Sequence, residues 1–196
     1  MFEIEKDFNF EEEKMVKLLK EADFIGQKVF TDVYYDTDRY NLTSKNTWLR
    51  AREGLFELKI PMNGITDTDR YEEVEDEQKI KKFLEFNAEE ILKNQLAENG
   101  YKPFLKLTTT RKKYKKGEFN IDIDNAEYDD GSTFKGMEIE LMIEDEKKAQ
   151  EASDQIIKFA EIYGLEQSYE GKISGYIRHK NPDHFKVLSD LGIFSK

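Results

Sequence analysis

The chain has 196 residues and a formal net charge of −11, is 37% charged and 38% hydrophobic, and carries 14 Phe, 10 Tyr and no Cys. The acidic balance argues against a general nucleic-acid surface, which needs a broad basic patch, and the lack of Cys excludes a disulfide framework or thiolate metal site. No apolar run approaches the roughly 20 residues that span a bilayer and no hydrophobic leader precedes the first charges, so a cytoplasmic protein is expected; its aromatic content suits one packed domain, 1–196.

The elements follow in chain order. "EIEKDF" (3–8) alternates as a strand, which puts Glu3, Glu5 and Asp7 on one face and Ile4 and Phe8 on the other. "NFEEEKMVKLLKEADF" (9–24) opens with an Asn9 and Glu12 capping-box pattern and stripes Met15, Leu18, Leu19 and Ala22 along one helix face. "DVYYDT" (32–37), "TWLRARE" (47–53), "LFELKIP" (55–61) and "RYEEVE" (70–75) read as strands. Two helices are predicted next, "DEQKIKKFLEF" (76–86) and "NAEEILKNQLAENG" (87–100), the second capped by Asn87 with Glu90 and stopped near Gly100. Three strands come after them, "FLKLTTTRKKY" (104–114), "EFNIDIDNAEY" (118–128) and "GMEIELMIE" (136–144). A long helix over "DEKKAQEASDQIIKFAEIYG" (145–164) turns Ala149, Ala152, Ile156, Phe159, Ala160 and Tyr163 inward, and a last one over "NPDHFKVLSDLG" (181–192) has Asn181 as cap and Pro182 at its first position. His179 and His184 have no partner ligands in sequence and read as surface or helix residues.

The polar faces of the strands carry the chemical signal. Charge recurs in i, i+2 pairs sorted by sign: Glu3 and Glu5, Arg50 and Arg52, Glu57 and Lys59, Arg111 and Lys113, Asp122 and Asp124, Glu138 and Glu140. A solvated face normally mixes in Ser, Thr, Asn and Gln, whereas here nearly every outward position is charged. With the apolar faces covered by helices, the pattern predicts an antiparallel sheet closed on itself and lined with charge. Such a lining suits a polyphosphate. Its closely spaced anionic oxygens call for several Arg and Lys donors, and a hard divalent cation beside them takes carboxylate oxygens.

The ordered set "EIEK", "YYDT", "WLRAREG", "ELKIP", "YEEVE", "TTTRKK", "IDID", "EIEL" and "GKISGYI" resembles the CYTH superfamily, the triphosphate tunnel metalloenzymes. "DVYYDTDRYNLTSKNTWLRAREGLFELKIP" and "GKISGYIRHKNPDHFKVL" look most like its thiamine triphosphatase branch. The resemblance implies an α+β fold with an eight-stranded antiparallel closed β-barrel and helices packed outside. It implies a Mg²⁺- or Mn²⁺-dependent triphosphatase acting on a small-molecule triphosphate such as thiamine triphosphate or inorganic tripolyphosphate. A class IV adenylyl cyclase, or a polyphosphate- or nucleotide-binding relative with weak turnover, stands as the alternative. Neither nucleic acid nor membrane is an expected partner, and the chain is expected to be a monomer or homodimer.

Carried over by position, the resemblance gives Arg50, Arg52, Lys59, Arg111 and Lys172 to the triphosphate oxygens, with Lys59, Arg52 and Arg111 as the catalytic cations. It gives Glu3, Glu5, Asp124, Glu138 and Glu140 to the divalent metal, with Asp122 and Glu73 in support. Trp48 takes the place of a Trp that lies against the organic part of the substrate; as a bare strand-end Trp it reads equally well as structural. Two departures stand out. Asp7 replaces the Lys of the Glu-x-Glu-x-Lys pattern, and alternation turns the adjacent Lys6 to the opposite face. Thr109 replaces a Lys found in many relatives two residues before Arg111.

Overall fold

A computed structural model describes residues 2–66, 71–168 and 170–194. The elements run β1 (Phe2–Phe8), α1 (Glu12–Leu19), β2 (Asp23–Asp36), β3 (Trp48–Arg52), β4 (Leu55–Pro61), β5 (Tyr71–Val74), α2 (Glu77–Phe83), α3 (Leu92–Glu98), β6 (Lys102–Lys116), β7 (Phe119–Tyr128), β8 (Thr133–Ile143), α4 (Ala149–Ile162), α5 (Lys172–Lys180) and α6 (Pro182–Asp190). All eight expected strands are present, although Arg70, placed in the fifth of them, lies outside the described residues.

The expectation of a closed barrel does not hold. The strands form one sheet in the order β1-β8-β7-β6-β2-β3-β4-β5, which is open, with β1 and β5 outermost. A strand edge whose backbone groups are already used cannot accept another strand. On β1 the segment after α4 takes that place: Asn9 N donates to Glu166 O at 2.9 Å, Ser168 N donates to Asp7 O at 2.9 Å, and Phe8 bridges Gln167. β5 offers four residues, too few for a long ladder.

Chain contacts separate two compact units, Met1–Val29 with Thr109–Glu127 and Gly131–Gly175, and Phe30–Thr108 with Tyr128–Asp130 and Tyr176–Lys196. In the first unit, alternation along β1, β7 and β8 turns Ile4, Phe8, Ile121, Ile123, Met137, Ile139 and Leu141 to one side, where they are buried against Met15 and Leu18 of α1 and Ala149, Ala152, Ile156 and Ala160 of α4. Ala at three of those α4 positions lets the helix approach the sheet closely. The opposite side of the same strands carries the charges. In the second unit Leu49, Leu58 and Val74 pack with Ile80 of α2 and Leu92 and Leu96 of α3. The β3 to β4 turn is held by Glu53 (φ 49) and Gly54 (φ 87), the two consecutive positive φ angles of a tight type I′ hairpin.

Several boundaries move from their sequence positions. α1 begins after Glu11 with no side-chain cap, so the Asn9 and Glu12 box does not form, and it stops at Leu19 before Glu21 at φ 64. The released residues start β2 nine positions before the expected "DVYYDT". α3 likewise starts late, at Leu92, because Asn87 uses its side chain on Glu89 N and Glu90 Oε1 in the preceding turn. α5 was not expected as a helix. α6 begins as the sequence dictates, with Asn181 Oδ1 accepting from His184 N at 3.1 Å and Pro182 at the first position.

Of the two places open to His184, surface or helix, the structure gives the helix: it lies in α6 and is 1% exposed. Asp36 accepts from Leu42 N (3.0 Å), Thr43 N (2.8 Å) and the Thr43 hydroxyl (2.7 Å), so that hydroxyl has spent its proton. His184 Nε2, 2.7 Å from Thr43 Oγ1, must therefore be the donor, which leaves Nδ1 the unprotonated nitrogen. Tyr40 stacks on the imidazole at 3.9 Å and 2°. Burial pushes His184 down from 6.5 to about 4, against the pull of Asp36. A depressed histidine adds stability that is complete above pH 6.5 and is lost as pH falls toward about 4. We expect the difference in unfolding free energy between the parent chain and His184→Gln to shrink by roughly 3 kcal/mol across that window, read from urea titrations at several pH values.

Candidate metal and phosphate site

The first unit builds its charged face by register. β1 pairs antiparallel with β8 without a bulge, setting Glu5 opposite Glu140 and Asp7 opposite Glu138; β8 pairs with β7, setting Glu138 opposite Asp122. Directly opposed residues project to the same side about 5 Å apart, so three strands bring their carboxylates together. Lys6 faces Ile139 on the other side, as alternation predicts, and Asp7 takes the face position.

Arg111 on β6 holds this set. Its Nε and Nη2 donate to Asp124 Oδ1 and Oδ2, both at 2.7 Å, its Nη1 to Asp122 Oδ2 at 2.7 Å, and its Nη2 also to Glu138 Oε2. The planar fork satisfies several carboxylates at once, which a Lys cannot do. Lys113, two residues on, reaches Glu140 at 3.2 Å and Asp122 at 3.3 Å. Lys172, the first residue of α5, donates to Asp124 and to Glu138 Oε1 at 3.0 Å. Burial works against the charge on Arg111 and Lys172, but the Glu138 and Asp124 carboxylates outweigh it and raise both pKa values.

Carboxylates still outnumber cations here, and their protonation shows it. Burial first, and then Glu3, lifts Glu140 to about 7. Burial lifts Asp122 to about 6 despite Arg111. Asp7 rises to about 7 through desolvation, then Glu138 and Glu5; the residue as a whole is solvent-accessible, while its carboxyl lies among protein atoms. Groups paying this much to stay ionised are suited to a cation.

The donor set fits a divalent one. Carboxylate oxygens of Glu3, Glu5 and Glu140 lie within 4.8 Å of one another, as do those of Asp122, Glu138 and Glu140. Asp122 is fully buried, yet its Oδ1 has no hydrogen-bond partner among the described residues. An all-oxygen set suits a hard divalent cation rather than a thiophilic metal. Thr109, on the same face of β6 two residues before Arg111, is also buried, and its hydroxyl has no hydrogen-bond partner among the described residues. Of the expected metal residues, Glu3, Glu5, Glu138 and Glu140 share these groups; Asp124 is instead committed to Arg111 and Lys172.

The second unit gathers the remaining expected cations on the side of β3 and β4 opposite α2 and α3. Arg52 forms a fork with Asp32 (2.8 and 3.0 Å), Arg50 pairs with Glu57 (2.5 Å), and Lys59 pairs with Glu73 (2.8 Å). Burial opposes the charge of Arg50, but Tyr34, Asp32 and Glu57 raise its pKa. Asp32 was missed in sequence, although its place opposite Arg52 in the β2 to β3 register explains it. Trp48 is buried, donates Nε1–H to Asn46 Oδ1 at 2.8 Å and stacks on Phe194.

The sequence profile of the CYTH domain matches residues 2–170. The chain belongs to the CYTH family. Among solved structures, a Pyrococcus horikoshii OT3 protein is similar at a TM-score of 0.66 and 22% identity, covering 91% of this chain and 99% of its own. A provisionally named adenylate cyclase of Vibrio parahaemolyticus is similar at 0.59 and 18%, over 96% and 98%. Another, of Bacillus halodurans, is similar at 0.54 and 22%, over 91% and 97%. No curated protein matches the chain. At these identities the neighbours share the CYTH fold. No helix among the described residues is long and apolar enough to cross a membrane.

The raised carboxyls of the CYTH site set a pH dependence. A carboxyl held above its ordinary value favours the folded state when protonated, so its contribution is complete below about pH 4 and lost as pH rises through about 7. Glu140→Gln mimics the protonated form. Metal-free Glu140→Gln is expected to melt above the parent at pH 8 and level with it near pH 5. Added Mg²⁺ should raise the parent's melting temperature at pH 8 more than the variant's, as followed by circular dichroism.

Proposed function

We propose that this CYTH protein is a hydrolase, dependent on Mg²⁺ or Mn²⁺, that removes the terminal phosphate of a triphosphate such as thiamine triphosphate or inorganic tripolyphosphate. One observation carries the reading: on a single sheet face Arg111, Lys113 and Lys172 are interleaved with carboxylates, and every one of those cations contacts at least two of them. Phosphate recognition and divalent-cation recognition are thus built from the same side chains. Glu3, Glu5, Glu138 and Glu140 would hold the cation, with Asp124 and Asp122 in support.

A bound divalent cation supplies charge neutralisation at the phosphate oxygens and a more acidic water. The remaining work falls to the chain. Arg111 would exchange carboxylate partners for non-bridging phosphate oxygens of the ligand, and Lys172 and Lys113 would add point charges as negative charge shifts to the leaving oxygen. We assign Arg50, Arg52 and Lys59 to the same ligand class as further phosphate donors. A carboxylate of the face takes a proton from the attacking water. The new P–O bond to water forms as the anhydride P–O bond breaks, releasing orthophosphate and the shortened polyphosphate. No covalent nucleophile is required. The same reading makes the protein a cytoplasmic monomer or homodimer with no nucleic-acid or membrane partner.

Phosphate release from tripolyphosphate, thiamine triphosphate and ATP, with Mg²⁺ or Mn²⁺ and with chelator, is the direct test. Turnover with metal and none with chelator is expected; cyclic AMP from ATP would instead identify a cyclase, and tight binding without turnover in either metal would identify a binding protein. Arg111→Ala should lower phosphate release by about 10²- to 10³-fold. Asp7→Lys, which exchanges an opposing charge for the cation of the related pattern, should raise it. An unchanged rate in that variant, with the parent already fast, would show that another residue meets the need.

A further inference from the structure

Trp48 stands on the cation-bearing side of β3. It lies directly opposite Lys59 in the β3 to β4 register and two residues from Arg50, which turns all three side chains the same way. A phosphate chain held by Arg50 and Lys59 therefore brings whatever is attached to it within one side chain's reach of the indole. The indole edge is fixed: Nε1–H is given to Asn46 Oδ1, which also accepts from the Tyr71 hydroxyl at 2.9 Å. The ring face is left to another group.

That group comes from the chain itself. After α6, Gly192 at φ 76 reverses the backbone, Ile193 N donates to Leu188 O at 2.9 Å, and the Ile193 side chain is buried. Phe194 then lies nearly parallel to Trp48, with centroids 5.9 Å apart and planes at 22°. Phe185 of α6 stacks next to it at 5.7 Å and 27°, and the Arg178 guanidinium covers Phe185 at 4.5 Å. Phe194 completes this ladder, yet it is only half-buried and belongs to no helix or strand. Its backbone N reaches Leu188 O at a long 3.4 Å. It is the weakly held rung between an anchored Trp and an anchored Phe.

We propose that Phe194 determines specificity by occupying the stacking place on Trp48, so that a triphosphate bearing a planar aromatic group must displace it whereas inorganic tripolyphosphate need not. The inference rests on the triphosphate reading above and adds to it the class of organic group that is disfavoured and the residue responsible. No bond is made or broken; one aromatic stack is exchanged for another.

Trp48 is the only Trp in the chain, so its fluorescence reports the site directly. Calorimetric titrations with tripolyphosphate, ATP and thiamine triphosphate in Mg²⁺, with Trp48 emission recorded alongside, are compared between the parent, Phe194→Ala and Phe194→Leu. Because a stack is worth about a threefold to tenfold change in affinity, Phe194→Ala should bind ATP or thiamine triphosphate tighter by that factor, with tripolyphosphate within twofold of the parent. Its unliganded emission should shift to the red. If Phe194→Ala does not fold, Phe194→Leu, which keeps an apolar cover without a ring, decides the matter with the same expected direction. Unchanged or weaker binding of both aromatic triphosphates, with tripolyphosphate still bound, overturns the role of Phe194 and leaves the triphosphate reading standing. No tripolyphosphate binding by the parent overturns both.

Discussion

The geometry of the first unit depends on one guanidinium. Arg111 contacts Asp122, Asp124 and Glu138, and thereby ties β6 to β7 and β8 through charged hydrogen bonds on the side away from the apolar core. A buried network of this kind gains little net stability over an apolar replacement, because desolvation consumes the Coulombic attraction. Breaking it is another matter, since removing one partner strands a buried charge at a cost of about 3–5 kcal/mol. The arrangement is thus better explained by what it positions than by what it stabilises. It keeps carboxylate oxygens closely spaced and leaves them short of positive charge, as the raised Glu140 and Asp122 values record.

The second unit handles its cations differently. Arg50, Arg52 and Lys59 each have a main carboxylate partner, Glu57, Asp32 and Glu73. Paired cations of this kind are held in place without being crowded, and Arg52 and Lys59 keep part of their side chains accessible at 31% and 23%. One unit therefore presents an acidic excess and the other a set of balanced pairs. Both arise from the same alternation of strand residues.

Much of this was legible in the sequence because period-two patterning is a local property. Glu3 and Glu5, Asp122 and Asp124, Glu138 and Glu140, and Arg50 and Arg52 share faces for no reason beyond strand geometry, and all eight strands are present, β2 with nine further residues at its start. The failures come from competition between local signals and longer-range partners. The Asn9 capping box gives way because Asn9 N bonds Glu166 O beside the edge of β1. "DFIGQKVF" lies too close to a helical stripe to declare itself as the start of β2. That His184 is a buried helix residue and not a surface one was not decided by its neighbours in sequence, because the Asp36 and Thr43 side chains that make its burial tolerable are far away in the chain.

Strand alternation alone assigns residue types to the two sides of each strand, and the linear order of residues carries the absence of thiolate chemistry, the CYTH pattern and the Asp7 departure from it. These follow from spacing and composition, which need no folded chain. That the sheet is open, that Arg111 and not a metal ligand is the centre of the carboxylate set, that α5 delivers Lys172 to Asp124 and Glu138, and that Phe194 covers Trp48 emerge only in the folded chain. Each of those depends on register or on contacts between residues distant in the chain, and neither is encoded in any local window.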